Sequence, residues 1–351
     1  MITYWQQING NFHKTKKEDL DESKPIWVDA RAITRDETNI LQSEYNIEQD
    51  HILDILDPDE LSRIEEGEGY ILTIVRVPVY DPTAETPYFA VPVGIIIKGK
   101  VVITICWYDS EVLKDFGNNR IKGVRLNDFP SFIVQIMNRA NLNFLRYLKE
   151  INRKSTSIQN EMKLEVENKE IMQILGLEKS LVYFTTSLKS NSLLLQKMKS
   201  TRLIKFDEED IDFVEGVSID NRQAIEMADT YSNIMFGVMD AYNSIISNNL
   251  NIVMKKLSVI NLVMMAPTLV TSFYGMNVKL PFDTLPGFFP VMTVTLFCFV
   301  SVFIAYFALS LDNNAIKARR LQKKMRKTKR KQNKEIKIET KKLKKQEKKL
   351  K

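Results

Sequence analysis

Two cysteines and two histidines in 351 residues leave this chain with little soft-metal or thiol chemistry. Cys106 falls in a strand-like run and Cys298 in an apolar one, which excludes a disulfide framework or a metal finger and fits a reducing compartment. Neither His13 nor His51 has a ligand partner close by in the sequence. There is no glycine-rich phosphate loop and no Ser-His or Cys-His arrangement in a catalytic context, so the chain reads as a non-enzyme without an organic cofactor. Met1-Ile2-Thr3-Tyr4-Trp5 is not the start of a basic-then-apolar secretory leader, which places the N-terminal part in the cytoplasm.

Charge is missing from two stretches. No charged residue lies between Lys256 and Lys279 or between Asp283 and Asp312, giving uncharged runs of 22 and 28 residues. At ~1.5 Å per residue the shorter run reaches about 33 Å, against a hydrocarbon core of roughly 30 Å. Two buried helices of a globular core are the alternative, but core helices normally keep a charged stripe. Both runs therefore read as membrane spans. The second, from Phe288 to Leu311, is apolar all round with aromatics at both ends and should face lipid.

The segment after the second run sets the topology. From Lys317 to Lys351 there are 19 Lys and Arg against 3 Glu, a local +16, so with a chain total of +6 residues 1 to 316 carry −10. A polybasic segment directly after a span marks the cytoplasmic side and meets anionic headgroups, a commoner role than a nucleic-acid arm. The reading is a multi-pass plasma-membrane protein with both termini cytoplasmic, lipid contact through the tail and no nucleic-acid partner.

Proline is absent between Pro130 and Pro267, which allows long helices there and discourages them before it. In the proline-containing part, Ile26 to Ala30, Ile71 to Val77, Val93 to Ile97 and Val101 to Ile105 read as strands, with Lys98-Gly99-Lys100 as a turn. Asp36 to Leu56 and Asp57 to Leu61 carry helix starts and helix formers. Pro130 to Ser200 has a helical pattern, with Gly176 expected at a turn between two helices and a second turn expected between Phe206 and Gly216. The expected organisation is a cytoplasmic α/β domain over 1–125, a helical region and stalk over 126–256, a pore-lining span over 257–277, an external loop over 278–287, a second span over 288–311 and a basic tail over 312–351.

The helix leading into the first span carries an unusual row. At steps of three and four lie Asp240, Ser244, Ser247, Asn251, Met254, Ser258, Asn261, Met265, Thr268 and Ser272, each polar or methionine, while Val259, Ile260, Leu262, Val263, Leu269 and Val270 lie off the row. A period of about 3.5 faces helical partners, but coiled-coil seams want branched aliphatics. Polar groups at membrane depth are costly without partners or water, so a row this long points to a lumen shared by several copies of the helix. Interhelical glue would need only one or two such residues. A hydrated Mg²⁺ ion holds its water tightly, and amides and hydroxyls can hydrogen-bond that shell without replacing it. Met254, Leu257 and Met265 would supply apolar constrictions that gate by dewetting. Carriers of Zn²⁺, Co²⁺ or Ni²⁺ would be expected to use softer ligands. A membrane-anchored scaffold is the reading from another class, and it leaves the row unexplained.

At the end of this helix stands Tyr274-Gly275-Met276-Asn277, after the first of two C-terminal spans, and this arrangement resembles the CorA family of magnesium channels. Asn251-Ile252-Val253-Met254-Lys255-Lys256-Leu257 is similar to the family's segment running into the membrane, and Asp240, Met265 and Thr268 fall at matching distances from Asn277. The resemblance covers about 217–311. It implies a homopentameric funnel in which Gly275, Met276 and Asn277 form the selectivity filter, Asn277 meeting hydrated Mg²⁺ and Tyr274 and Met276 holding the ring. It also implies closure when cytoplasmic Mg²⁺ binds acidic sites, so that Mg²⁺ is both cargo and regulator and Asp240 is a candidate metal contact. Glu208, Glu209, Asp210, Asp212, Glu215 and Asp220 are regulatory candidates by composition, although a solvated acidic face is the better reading of most of them. Many members follow the triplet with an acidic segment, whereas Val278 to Leu285 here holds one acid and one lysine.

Overall fold

The structure is a computed structural model and describes residues 1–162, 168–276, 288–289, 292–304 and 307. The chain divides into two compact units, Met1–Ala241 and Tyr242–Lys351.

The first unit is built on a seven-stranded sheet. Strands β1 (Ile2–Ile8), β2 (Asn11–Thr15), β3 (Ile26–Arg31), β4 (Arg63–Gly67), β5 (Tyr70–Tyr80), β6 (Tyr88–Lys98) and β7 (Val101–Cys106) lie in the order β2-β1-β3-β7-β6-β5-β4. Only β3 and β7 pair in parallel. The strands expected around Ile26, Ile71, Val93 and Val101 are present, and Gly99 adopts φ +60° at the expected turn. Pro78 and Pro92 sit within β5 and β6 where each strand has a single ladder neighbour, so a missing N–H costs no sheet bond.

Alternation along the strands makes two cores. On one face Ile26, Val28, Ala30, Leu72, Ile74, Ile103 and Ile105 meet Leu41 and Ile55 of helices α1 (Arg35–Tyr45) and α2 (Gln49–Leu56). Helix α1 starts at a capping box in which Thr34 and Glu37 satisfy each other's backbone N–H groups. On the other face Trp27 packs against Phe12, Phe116 and Phe132, the last two from α3 (Glu111–Gly117) and α4 (Phe129–Met162). Beside them, α5 (Asn168–Ser200) covers β4, β5 and β6. Asn191 of α5 both accepts from the Arg76 N–H (3.0 Å) and donates to its carbonyl (2.8 Å), closing β5 where β4 no longer pairs with it.

Three local expectations are corrected. Asp57 to Leu61 is not helical: Asp57 is the extended C-cap of α2, because the residue before Pro58 is pushed out of the helical region. Gly176 lies inside α5, not at a turn. A Cβ there would stand 2.9 Å from the Glu85 carbonyl oxygen, so the glycine admits the β5–β6 loop against the helix. Residues Glu208 to Gly216 belong to the next helix, α6 (Glu208–Tyr274), leaving 201–207 as the connection. Acids near the start of α6 favour a helix N-terminus, which is why an acid-rich stretch is helical there.

Within the second unit, α6 continues through Pro267 to Tyr274, and an apolar helix α7 (Met292–Ile304) follows. The Cys298 thiol of α7 lies 3.9 Å from the Pro267 carbonyl oxygen, and Val259, Val263 and Val270 of α6 are half-buried.

Candidate pore face on helix α6

The residues of the row are all on α6, and all of them are exposed in the single chain, from Asp240 through Ser244, Ser247, Asn251, Met254, Ser258, Asn261, Met265 and Thr268 to Ser272. Leu257, beside the row, is also exposed. α6 holds a segment long and apolar enough to cross a membrane, and none of that apolar window is buried within the chain. Lipid or further copies of the chain are the surroundings such a surface requires. Ser258 donates to the Met254 carbonyl (2.9 Å) and Thr268 to the Met264 carbonyl (2.8 Å), so these hydroxyls satisfy themselves on their own helix and keep acceptor lone pairs for water. A surface concavity of about 890 Å³ runs along this face, lined by Asn261, Met265, Thr268 and Ser272 together with Leu262, Met264 and Leu269.

The side of α6 that bears the row is decided by what the rest of the helix buries. In the first unit the buried positions are Asp210, Val214, Val217, Asn221, Ala224, Ala228 and Met235, again in steps of four and three, with one double step before Met235. Asn221 donates to Asn141 of α4 (3.1 Å), Asn141 donates to the Val217 carbonyl (3.1 Å), and Ser155 of α4 donates to the Met235 sulfur (3.4 Å). Counting the row back from Asp240 at its own step gives Gly237, Asn233, Thr230, Glu226, Gln223, Ile219, Gly216 and Asp212, every one exposed. Each lies two residues from a buried position, or about 200° around a helix of 3.6 residues per turn. In the second unit the half-buried Val259, Val263, Pro267 and Val270 stand in the same relation to Asn261, Met265 and Thr268. In each unit the row thus occupies the side of α6 turned away from the helix's own packing.

The residues expected to form the filter are placed only in part. The Gly275 N–H donates to the Thr271 carbonyl (2.9 Å) as the helix closes, Met276 is exposed, and Asn277 lies outside the described residues. The second expected span is described only over α7 and a few neighbours, and the basic tail lies outside the described residues. Among the acidic candidates, Asp210 is buried with its carboxylate 3.9 Å from Arg125, and Glu215 pairs with Lys199, which holds its carboxyl below the usual range. Asp212 is exposed on the backward continuation of the row, and Asp220 is half-buried. Among the described residues no three His, Cys, Asp or Glu side chains converge as a metal site within one chain.

A family model described as "CorA-like Mg2+ transporter protein" matches residues 22–320. This chain belongs to that family. CorA-like proteins are divalent-cation transporters of membranes, and their ion transport is the class of activity to which this chain belongs. The "Cobalt/magnesium transport protein CorA" of Methanocaldococcus jannaschii is 29% identical over 315 residues, covering 84% of this chain and 95% of the relative. The protein of the same name from Thermotoga maritima is 21% identical over 299 residues, covering 82% and 83%. The solved structure described as the complete CorA magnesium transporter from M. jannaschii superposes with a TM-score of 0.70 at 24% identity, covering 87% of this chain and 96% of that one. The soluble α/β part followed by a long helix is accordingly a CorA-like fold.

In the sequence the row is traced only as far as Asp240. The CorA-like helix carries it further toward its N-terminus, and Glu226 and Asp212 add carboxylates at intervals of 14 residues from Asp240. The signal is an unbroken step of three and four, but without burial the stalk's apolar seam and its exposed row cannot be told apart.

Proposed function

We propose that the chain assembles as a homopentamer around a pore lined by α6 and admits Mg²⁺ to the cytoplasm. The observation that carries this reading is the polar row on the unpacked side of α6, which leaves hydroxyls and amides for a lumen that only neighbouring copies can enclose. Residues 257–277 and 288–311 are the two spans, 278–287 the external link, and both termini are cytoplasmic. Gly275, Met276 and Asn277 form the outer filter, where the Asn277 amides meet the water shell of the ion. Mg²⁺ keeps that shell because dehydration is costly, so Ser258, Asn261 and Thr268 carry it by hydrogen bonds to water. Met254, Leu257 and Met265 form apolar rings that close by dewetting. Binding of cytoplasmic Mg²⁺ at acidic sites closes the channel. The basic tail rests on anionic lipid.

Co²⁺ is a second cargo, supported by the names of both relatives. It resembles Mg²⁺ as a divalent ion that a hydrated-ion filter would accept. Ni²⁺ and Zn²⁺ have less support, since the row offers no imidazole or thiolate.

The test is Mg²⁺ uptake into liposomes holding the purified protein and an internal Mg²⁺ indicator. Wild type should show flux that high internal Mg²⁺ suppresses and that Asn277→Ala abolishes. Flux of Co²⁺ but not Mg²⁺ would move the assignment, and absence of flux for every divalent cation would favour a membrane-anchored scaffold.

A further inference from the structure

The exposed row of α6 changes its chemistry along the helix. From Ser244 to Ser272 it holds hydroxyls, amides and methionines and no charge. Nearer the N-terminus, within the first unit, it holds Asp212, Glu226 and Asp240, all exposed. The basic residues of α6 are Arg222, Lys255 and Lys256, and all three lie off the row. The row therefore bears negative charge at one end and none at the other.

Acids on other sides of the helix are treated differently. Asp210 lies 3.9 Å from Arg125, Asp229 lies 3.7 Å from Lys189, and Glu215 pairs with Lys199. Asp212 and Glu226 have no ion pair among the described residues. Carboxylates off the row thus meet bases of neighbouring elements, whereas these two keep their full charge toward whatever the row faces. Asp212, Glu226 and Asp240 stand 14 residues apart, or ~21 Å at ~1.5 Å per residue. Two of them in one chain cannot share an ion, so they act through their fields and not as a chelating site.

We propose that Glu226, and Asp212 beyond it, form carboxylate rings that concentrate cations at the cytoplasmic approach to the pore and exclude anions from it. The proposal rests on the homopentameric pore lined by α6, because only an assembly turns one exposed carboxylate per chain into a ring. Charges of one sign around a confined, water-filled space raise the local concentration of counter-ions and repel ions of their own sign. A divalent cation feels twice the energy of a monovalent one in the same field. The uncharged row from Ser244 onward then passes the hydrated ion without holding it, since conduction needs sites that an ion can leave.

The experiment is Mg²⁺ entry into liposomes at low internal Mg²⁺, in choline chloride at ~10 mM and at ~1 M, where the screening length falls from ~30 Å to ~3 Å. Glu226→Gln is an exposed, isosteric substitution. It should lower the initial rate at least threefold at low salt and leave it within about 1.5-fold of wild type at high salt. Asp229→Asn removes the same charge from another side of α6 and should stay within about 1.5-fold at both. Suppression of flux by high internal Mg²⁺ should persist in Glu226→Gln. A wild-type rate in Glu226→Gln at low salt, a loss that does not shrink with salt, an equal loss in Asp229→Asn, or a loss of the suppression would overturn the rings. Asn261→Leu, run beside them, separates two failures. If it abolishes flux while Glu226→Gln leaves flux unchanged, the pore stands without the rings; if it conducts like wild type, the pore fails and the rings with it.

Discussion

Single residues in the first unit are set by contacts that the local sequence does not announce. Gly176 reads as a turn because glycine inside a helix costs about 1 kcal/mol against alanine. Its reason for being there is the Glu85 carbonyl pressed against the helix from 91 residues away. Gly176→Ala should therefore destabilise the protein by about 1–3 kcal/mol despite the gain in helix propensity, seen as a lower Tm for the purified protein. A Tm equal to or above wild type would contradict this account of the contact. The turn at Asn9-Gly10, with φ +51° and +82°, shows the opposite case: the dipeptide is a strong hairpin signal, and it joins β1 to β2. The strands of that edge hairpin are harder to read than its turn, because they mix polar and apolar residues.

Asp29 carries a pH dependence of its own. Its carboxylate is fully buried, accepts from Arg31 Nε (2.9 Å) and from Thr104 Oγ1 (3.3 Å), and burial outweighs these bonds, pushing its pKa up to about 6. Because the folded value lies above the ordinary one, the native state binds the proton more tightly than the unfolded chain. The contribution of Asp29 is greatest below about pH 4 and is lost as pH rises through about 6, by about 3 kcal/mol at 1.36 kcal/mol per pKa unit. Asp29→Asn cannot titrate. Its stability relative to wild type should rise between pH 4 and pH 7, measured as the difference in Tm at each pH. A constant difference across that range would show that Asp29 is ionised throughout.

At the scale of elements, α6 is the member that joins fold to site. Its apolar-and-small seam and its polar row differ by two residues in phase, so substitutions two apart should behave oppositely. Val217 is buried, and Val217→Asp should cost about 3 kcal/mol or more as an unpaired charge forced into the interior. Ile219 is exposed, and Ile219→Asp should leave the Tm within a degree or two. Similar losses for both would mean that α6 buries a different side. The strands around Ile26, Ile71, Val93 and Val101 were readable from their runs of β-branched residues. β4 was not, since Arg63-Ile64-Glu65-Glu66-Gly67 has one apolar residue and becomes a strand through pairing with β5. The start of α6 was misplaced for a similar reason, because acids suit both a solvated loop and the first turn of a helix.

For the whole molecule, the proposed pore requires an assembly of several copies. Among the described residues, Asn261, Met265 and Thr268 are exposed and nothing within the chain encloses them. Native mass spectrometry in detergent should give a particle of five 40.7 kDa chains, and a monomer as the only species would remove the lumen on which the pore reading rests. Family membership was legible from Tyr274-Gly275-Met276-Asn277 and its place after the first uncharged run. Subunit contacts were not legible, because residues that meet another copy look like any solvent-exposed position in one sequence.

If the polar side of α6 carries the ion, two neighbouring substitutions should part company in Mg²⁺ flux into liposomes: Asn261→Leu on the row and Leu262→Ala beside it. Asn261→Leu should lower flux more than tenfold with insertion and assembly unchanged, while Leu262→Ala should keep flux within a factor of about two. Equal flux in the two variants, or greater loss in Leu262→Ala, would contradict a pore on that face.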